Sequence, residues 1–140
     1  VHITRVAFDG SEHARRAVEH VVKLHREHGG IRVVLVDVEP APVAWQTHGL
    51  EREATEASLR ELGEEKLAPA RALLAEAGVP HEARVVLGDP AHAIADAARD
   101  LACDGIVMGS RGLGSVAGLL VGSVATKVLH LTDLPVTLVK

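Results

Sequence analysis

The chain has very few cysteine and aromatic residues: among its 140 residues are one Cys, one Phe, one Trp and no Tyr. The single cysteine, Cys103, excludes an internal disulfide. A domain of this length does not need one, because it can bury roughly 68–70% of the surface that its unfolded chain exposes. The scarcity of aromatic rings argues against binding of single-stranded nucleic acid, which uses such rings as stacking platforms. The longest apolar runs, such as VVLV, fall far below the roughly 18 residues of a membrane-spanning helix.

Excess positive charge is also lacking. The chain has 15 Lys and Arg against 19 Asp and Glu, a net charge of −4, whereas duplex nucleic acid favours a basic surface. The first ten residues, VHITRVAFDG, show no apolar segment behind a basic lead, so we expect a cytoplasmic protein. The nine histidines lack the H-E-x-x-H spacing and a set of cysteine partners. We therefore interpret them as solvated helix surface and expect neither a metal site built from protein side chains nor a nucleic-acid or membrane partner.

Short apolar runs alternate with segments of helical spacing, in a pattern that predicts one domain over residues 1–140. Five runs are typical of strands buried on both faces: Ile3 to Phe8, Ile31 to Val38, the region of Ala83 to Leu87, Gly105 to Met108, and Val136 to Val139. Four helices are predicted between them: one that ends at Gly29 and Gly30, one over Glu51 to Ala77, one that starts at Asp89 and Pro90, and Ser123 to Leu131. The second has a predicted bend near Pro69 and an apolar stripe of Leu59, Leu62, Leu67, Leu73 and Leu74. This alternation predicts a parallel α/β sheet with helices on both faces.

Five glycines, at positions 109, 112, 114, 118 and 122, lie within 14 residues between a predicted strand and a predicted helix. Glycines let backbone N–H groups approach a ligand closely, and the following helix adds its positive N-terminal end, so the segment suits a phosphate group. The alternative is that the glycines only permit tight turns. No Gly-Lys-Ser or Gly-Lys-Thr occurs, which excludes a Walker A loop.

The segment MGSRGLGSVAGLLVGSVATKVL resembles the glycine motif of the universal stress proteins, in which G-x-x-G is followed after nine residues by G-[ST]. Gly109, Gly112, Gly122 and Ser123 occupy its fixed positions. RVAFDGSEHARRAVEH resembles the first strand and turn of that family, and TDLPVTLVK resembles its last strand. The resemblance covers essentially the whole chain. It implies a doubly wound, Rossmann-like sheet of five parallel strands in the order 3-2-1-4-5, usually in a homodimer paired through the last strands.

The complete motif resembles the ATP-binding branch of the family, which implies a site for ATP, or AMP or ADP, with Mg²⁺ on the phosphates. In that order the carboxyl ends of strands 1 and 4 meet at the switch point where α/β sheets bind ligands. Carried over by resemblance, the adenosine end would contact Asp9 and the backbone of Ala7 and Val38. The ribose would contact Met108 and Gly109, and the phosphates would contact Gly112, Gly122, Ser123 and Val124. Arg111 is a further phosphate candidate, because a guanidinium matches phosphate oxygens.

Single residues of this set also have structural interpretations. Asp9 precedes Gly-Ser, where an Asp often bonds the turn that starts a helix, and Ser123 could be a helix cap. Cys103 is expected in the core and not as a nucleophile. Trp45, in a loop of about a dozen residues, could cover a bound base or anchor the loop on the sheet.

Three functional hypotheses follow. The first is a nucleotide-binding protein with a regulatory role in stress response and at most slow ATP hydrolysis, because no residue at a distinctive position would orient water or stabilise the leaving phosphate. The second is a protein-interaction member of the same family that binds no nucleotide. The third, an enzyme acting on adenylated or phosphorylated substrates, would require a signature such as S-G-G-x-D-S, which FDGSEH does not match. We also predict a homodimer through the last strand, since VTLV would be an apolar edge.

Overall fold

Strands and helices alternate along the chain, as the apolar patterning predicts. The computed structural model describes residues 2–42, 49–111 and 121–140. The strands are β1 (His2–Ala7), β2 (Ile31–Glu39), β3 (His81–Leu87), β4 (Gly105–Gly109) and β5 (Val136–Val139). The helices are α1 (Glu12–His28), α2 (Leu50–Glu76), α3 (Pro90–Asp100) and α4 (Ser123–Leu131). The strand boundaries differ from the predicted ones by at most two residues, which is within the usual uncertainty of element ends, and those of β5 agree with the prediction.

The five strands form one parallel sheet in the order β3-β2-β1-β4-β5. This confirms the predicted fold and strand order. The chain runs from β1 outward to β3 on one side and then returns to β4 on the other side of β1. The switch point therefore lies between the carboxyl ends of β1 and β4, where open α/β sheets bind ligands.

The helix ends follow the local signals in the sequence. The Ser11 hydroxyl accepts a hydrogen bond from the Ala14 N–H at 3.2 Å and caps α1, and Gly29 ends that helix at φ 67°. The Asp89 carboxylate accepts from the His92 N–H at 3.2 Å and caps α3, with Pro90 as the first helical residue. Such caps satisfy N–H groups that a helix cannot pair internally.

Helix α2 runs without interruption through Pro69, and the predicted bend there stays a prediction. The predicted apolar stripe is confirmed at Leu67 and Leu74, which are buried, and wrong at Leu62, which is 42% exposed. The face that α2 buries consists of Gly63, Leu67, Ala70 and Leu74. Gly63 takes this place because a Cβ there would lie 2.6 Å from the Val85 Cγ1 atom, so the helix approaches the sheet more closely than any larger residue permits.

Apolar layers cover both faces of the sheet. One layer packs α1 and α2 on the sheet around Leu35 and Leu67, and the other packs α3 and α4 around Ile106 and Met108. Cys103 is buried in the second layer, as expected. Within the described ranges, no helix is long and apolar enough to cross a membrane, and no group of three metal-ligating side chains forms. The cytoplasmic location stays a prediction.

Candidate functional site

A cavity of about 210 Å³ opens at the switch point of the sheet, above the carboxyl ends of β1, β2 and β4. Nine of the ten residues singled out in the sequence line it: Ala7, Asp9, Val38, Met108, Gly109, Arg111, Gly122, Ser123 and Val124. The tenth, Gly112, lies outside the described residues, as does Trp45. Positions far apart in the sequence thus meet in one cavity.

Three neighbouring strands supply the apolar floor of this cavity. Ala7 of β1 pairs in register with Val36 of β2 on one side and with Met108 of β4 on the other. Val38, two residues beyond Val36, extends this floor along β2. The floor is therefore an apolar surface that continues across the centre of the sheet.

Asp9 lies at the edge of this floor, where the chain leaves β1. Its Oδ1 atom accepts a hydrogen bond from the Ser11 N–H at 2.9 Å, which confirms that it bonds the turn before α1. Gly10 between them has φ 82°, a conformation that favours glycine. The same carboxylate lines the cavity, so the turn holds an anionic group at a fixed place in the wall.

The two ends of the glycine-rich segment lie side by side. The Gly122 N–H donates to the Ser110 carbonyl at 2.7 Å, and the Ser110 N–H donates to the Val139 carbonyl at 2.8 Å. These bonds attach the base of the segment to β5 and bring Arg111 beside the start of α4. Residues 112–120, between the two ends, are outside the described residues.

Helix α4 points its N-terminus at the cavity. Gly122 occupies the capping position in an extended conformation, so the interpretation of Ser123 as the cap is wrong: Ser123 is the first helical residue. No side chain of the described residues caps this end. Ser123, Val124 and Ala125 line the cavity, and the first N–H groups of a helix have no partner within it. The cavity therefore faces a surplus of backbone donors and the positive end of a helix dipole.

The charged side chains on the described lining are one carboxylate, Asp9, and one guanidinium, Arg111. Beside the cavity, the His92 ring nitrogen Nδ1 lies 2.7 Å from Asp89 Oδ2 at the start of α3. This hydrogen bond, with that from the His92 N–H, lowers the pKa of the Asp89 carboxyl. The arrangement provides an apolar floor, backbone donors at one end and few charges, which suits a ligand with a flat apolar part and an anionic part.

Sequence reasoning missed part of the wall. The residues concerned are Phe8, Ser11, Ala14, Val36, Pro90, Ile94, Ser110 and Ala125. Pro90 and Ile94 could have been found, because α3 starts at the carboxyl edge of β3 and the same edge carries the switch point. Ser11 and Ala14 could not have been separated from a purely structural role, since both also serve the first turn of α1.

The universal stress protein family model matches residues 4–140 of the chain. A universal stress protein of Thermus aquaticus is 41% identical over 137 residues, with 96% of each chain covered. The universal stress protein YxiE of Bacillus subtilis is 30% identical over 144 residues, again with 96% of each covered. The structure of hypothetical protein MJ0577 has a TM-score of 0.85 and 26% identity over 99% of this chain and 95% of its own.

Two structures with the same fold carry adenine nucleotides. The universal stress protein of Archaeoglobus fulgidus was solved in complex with dAMP (23% identical, TM-score 0.65, 100% of this chain and 98% of that one). A universal stress protein family member of Arabidopsis thaliana was solved with AMP bound (21% identical, TM-score 0.72, 100% and 92%). At these identities the likeness concerns the fold.

Proposed function

The chain belongs to the universal stress protein family, and from this premise we propose that its cavity binds an adenine nucleotide. ATP is the ligand to test first. We also propose that the protein has a regulatory role in stress response. The observation that carries the proposal is the convergence of β1, the two described ends of the glycine-rich segment and the start of α4 on one cavity. Packing alone does not require these three sequence motifs to share a cavity wall.

The chemistry of the wall supports separate places for the base and the phosphates. Ala7, Val38 and Met108 form an apolar floor of the kind that accepts a planar ring. The Asp9 carboxylate at its edge is an acceptor for an amino or hydroxyl donor of an adenosine. On the opposite side, where Gly122 lines the wall, Ser123 and the rest of the first turn of α4 offer N–H donors to phosphate oxygens.

Arg111 is the one cation among the described lining residues, and its guanidinium can donate two parallel bonds to a phosphate. A triphosphate carries more negative charge than one guanidinium balances. We therefore propose Mg²⁺ as a companion of ATP, held by the phosphates from the solvent side. Among the described lining residues, Ser123 has a hydroxyl oxygen that could also contact the Mg²⁺.

The two neighbours solved with AMP and dAMP support the choice of an adenine nucleotide, as does a third universal stress protein solved in complex with cAMP (23% identical, TM-score 0.74). All three ligands share the adenine and a single phosphate. The same protein fold therefore accommodates the part of ATP for which the described wall has complementary groups.

The test is calorimetric titration. The protein is first freed of co-purified nucleotide and is then titrated with adenosine, with AMP, and with ATP and Mg²⁺. We expect saturable binding near one site per chain. Arg111→Ala should weaken ATP binding by about 10- to 100-fold and leave adenosine binding unchanged, because it removes one charge-assisted contact. Arg99→Ala is the matched control, since that arginine is 71% exposed on α3.

Gly122→Val, with the fold verified by circular dichroism, should abolish binding of all three ligands by filling the cavity. If the wild-type chain shows no binding up to millimolar ATP, the proposal is wrong and the protein-interaction hypothesis replaces it. We further propose that any hydrolysis is slow. A turnover well above about one per minute, abolished by Asp9→Ala, would contradict this.

We also propose a homodimer paired through β5. This strand is one edge of the sheet and consists of the uncharged residues VTLV, whereas the other edge, β3, has the charged residues Glu82 and Arg84. Charged side chains protect an edge from pairing, and an uncharged apolar edge invites it. Light scattering should show a dimer that the double variant Val136→Lys, Leu138→Lys converts to a monomer, while Leu62→Lys on α2 has no effect. An unchanged mass of the double variant would contradict the edge model.

A further inference from the structure

A buried group of charged side chains lies behind the cavity, on the opposite face of the sheet. Asp37 and Glu39 of β2 point under α2 and are 1% and 3% exposed. The side chain of Lys66 on α2 lies beside them. Its Nζ atom is 2.8 Å from Glu39 Oε1 and donates a hydrogen bond to Glu39 Oε2 at 3.3 Å. The group thus contains two carboxyls and one ammonium.

The charges of this group do not balance if both carboxyls are ionised. Among the described residues, no hydrogen bond reaches the buried Asp37 Oδ2 atom, whereas Glu39 Oε1 is in an ion pair with Lys66 Nζ. An unpaired buried charge is costly, and a buried acceptor without a donor adds to this cost. Asp37 and Glu39 are two residues apart on β2 and their side chains lie on the same face of the strand, where a hydrogen bond between them acts on Asp37. One shared proton would provide the donor that Asp37 Oδ2 lacks.

The packing around Asp37 shows which contact the proton would affect, namely that between α2 and the sheet. A Cβ at Gly63 would lie 2.7 Å from Asp37 Oδ2, so α2 lies directly against the carboxyl. Val85, the residue of β3 in register with Asp37, is uncharged. The charged groups that act on Asp37 are Glu39 from its own strand, Lys66 from α2 and Asp9 from the turn after β1. Two of these three are anions, and they favour the protonated form.

Burial, followed by the charge of Glu39 and the hydrogen bond with it, raises the pKa of Asp37 to about 7 from its ordinary 3.8, while Lys66 opposes the shift. The unfolded chain binds this proton only below about pH 4. Between these two values the folded chain holds more protons than the unfolded chain, so its stability falls as the pH rises.

We propose that Asp37 and Glu39 form a proton-binding site, in which one proton is held between the two carboxyls and its release weakens the packing of α2 on the sheet. This proton site does not depend on nucleotide binding, because its groups are on the other face of β2 and do not line the cavity. It gives the fold a response to pH in the near-neutral range.

The test is chemical denaturation of the wild-type chain, Asp37→Asn and Glu39→Gln between about pH 5 and pH 8. For one proton, the unfolding constant of the wild type should rise by up to about tenfold per pH unit below about pH 7 and level off above it, relative to Asp37→Asn, whose neutral amide replaces the protonated acid. Glu39→Gln should also reduce the pH dependence, because either substitution removes the shared proton. Asp133→Asn, at an exposed position, is the control and should keep the wild-type dependence.

Equal pH dependence in the wild type and Asp37→Asn would overturn the proposal. If the variants do not fold, the proposal is tested by carboxyl ¹³C NMR of the wild-type chain. One of the two carboxyls should titrate between about pH 6 and pH 8, and titration of both below about pH 5 would overturn the proposal.

Discussion

Gly109, one of the fixed glycines of the phosphate motif, has a packing role that can be measured separately from ligand binding. A Cβ at this position would lie 2.7 Å from His13 Cβ, 2.8 Å from the His13 carbonyl carbon and 2.9 Å from the Ala14 backbone nitrogen. Two of these three atoms belong to the backbone of α1, which cannot turn aside as a side chain can. Gly109→Ala therefore forces α1 away from β4. Overpacking of this kind costs about 1–3 kcal/mol.

For 140 residues, unfolding entropy of about 2.1 cal/mol/K per residue converts this loss into a decrease in Tm of about 3–10 °C. The assay is urea and thermal unfolding of the protein without nucleotide. The matched control is Gly105→Ala in the same strand, where the nearest atom to a Cβ is the Pro135 carbonyl oxygen at 3.3 Å. We expect it to cost less than about 1 kcal/mol. If Gly109→Ala is as stable as the wild type but loses nucleotide binding, the glycine serves the ligand and the packing argument is refuted.

Three further predictions concern stability. Leu67→Ala should cost about 2–5 kcal/mol in urea unfolding, because this side chain of α2 is fully buried between the helix and the sheet; a loss below about 1 kcal/mol would contradict this, because it would mean that the layer repacks to fill the gap. Ser11→Ala should cost about 1 kcal/mol, since it removes the hydroxyl that caps α1, and Ser11→Thr, which keeps the hydroxyl, should restore most of it. Asp89→Asn should destabilise the protein at neutral pH and lose this effect in acid. The Asp89 pKa is lowered from 3.8, so its contribution is present above that value and disappears as the carboxyl is protonated; an equal effect at about pH 7 and pH 2 would contradict the assignment.

The alternation of strands and helices and the helix ends follow from local signals in the sequence, whereas the strand order and most of the cavity residues were implied by the resemblance to the universal stress proteins. The caps at Ser11 and Asp89 and the stop at Gly29 are decided by residues within one helical turn. The motif residues Gly109 and Gly122 mark the end of one element and the start of the next, so their meeting follows once the order of the strands is fixed.

The face that α2 buries could be predicted only in part, at Leu67 and Leu74. Leu62 has the hydrophobicity of a core residue, but Gly63 faces the sheet, because the available space above Val85 and Asp37 admits only a hydrogen atom. That space is set by two strands distant in sequence. Asp37 was missed for a related reason: in a strand buried on both faces, alternation does not show which side chains are inside, and a buried acid gives no signal until its neighbours are known.

Strand β2 joins the two sites that the structure supports. Val36 and Val38 contribute to the floor of the cavity on one face, and Asp37 and Glu39 alternate with them on the other. Asp9 belongs to the cavity wall and also acts through its charge on Asp37. A ligand that neutralises Asp9 by donating a hydrogen bond to it reduces one of the interactions that favour protonated Asp37. Linkage requires the effect to be reciprocal. If adenosine binds at Asp9, its binding should release part of the shared proton, and its affinity should change with pH in the range where Asp37 titrates. Asp37→Asn should remove that change in affinity without removing binding.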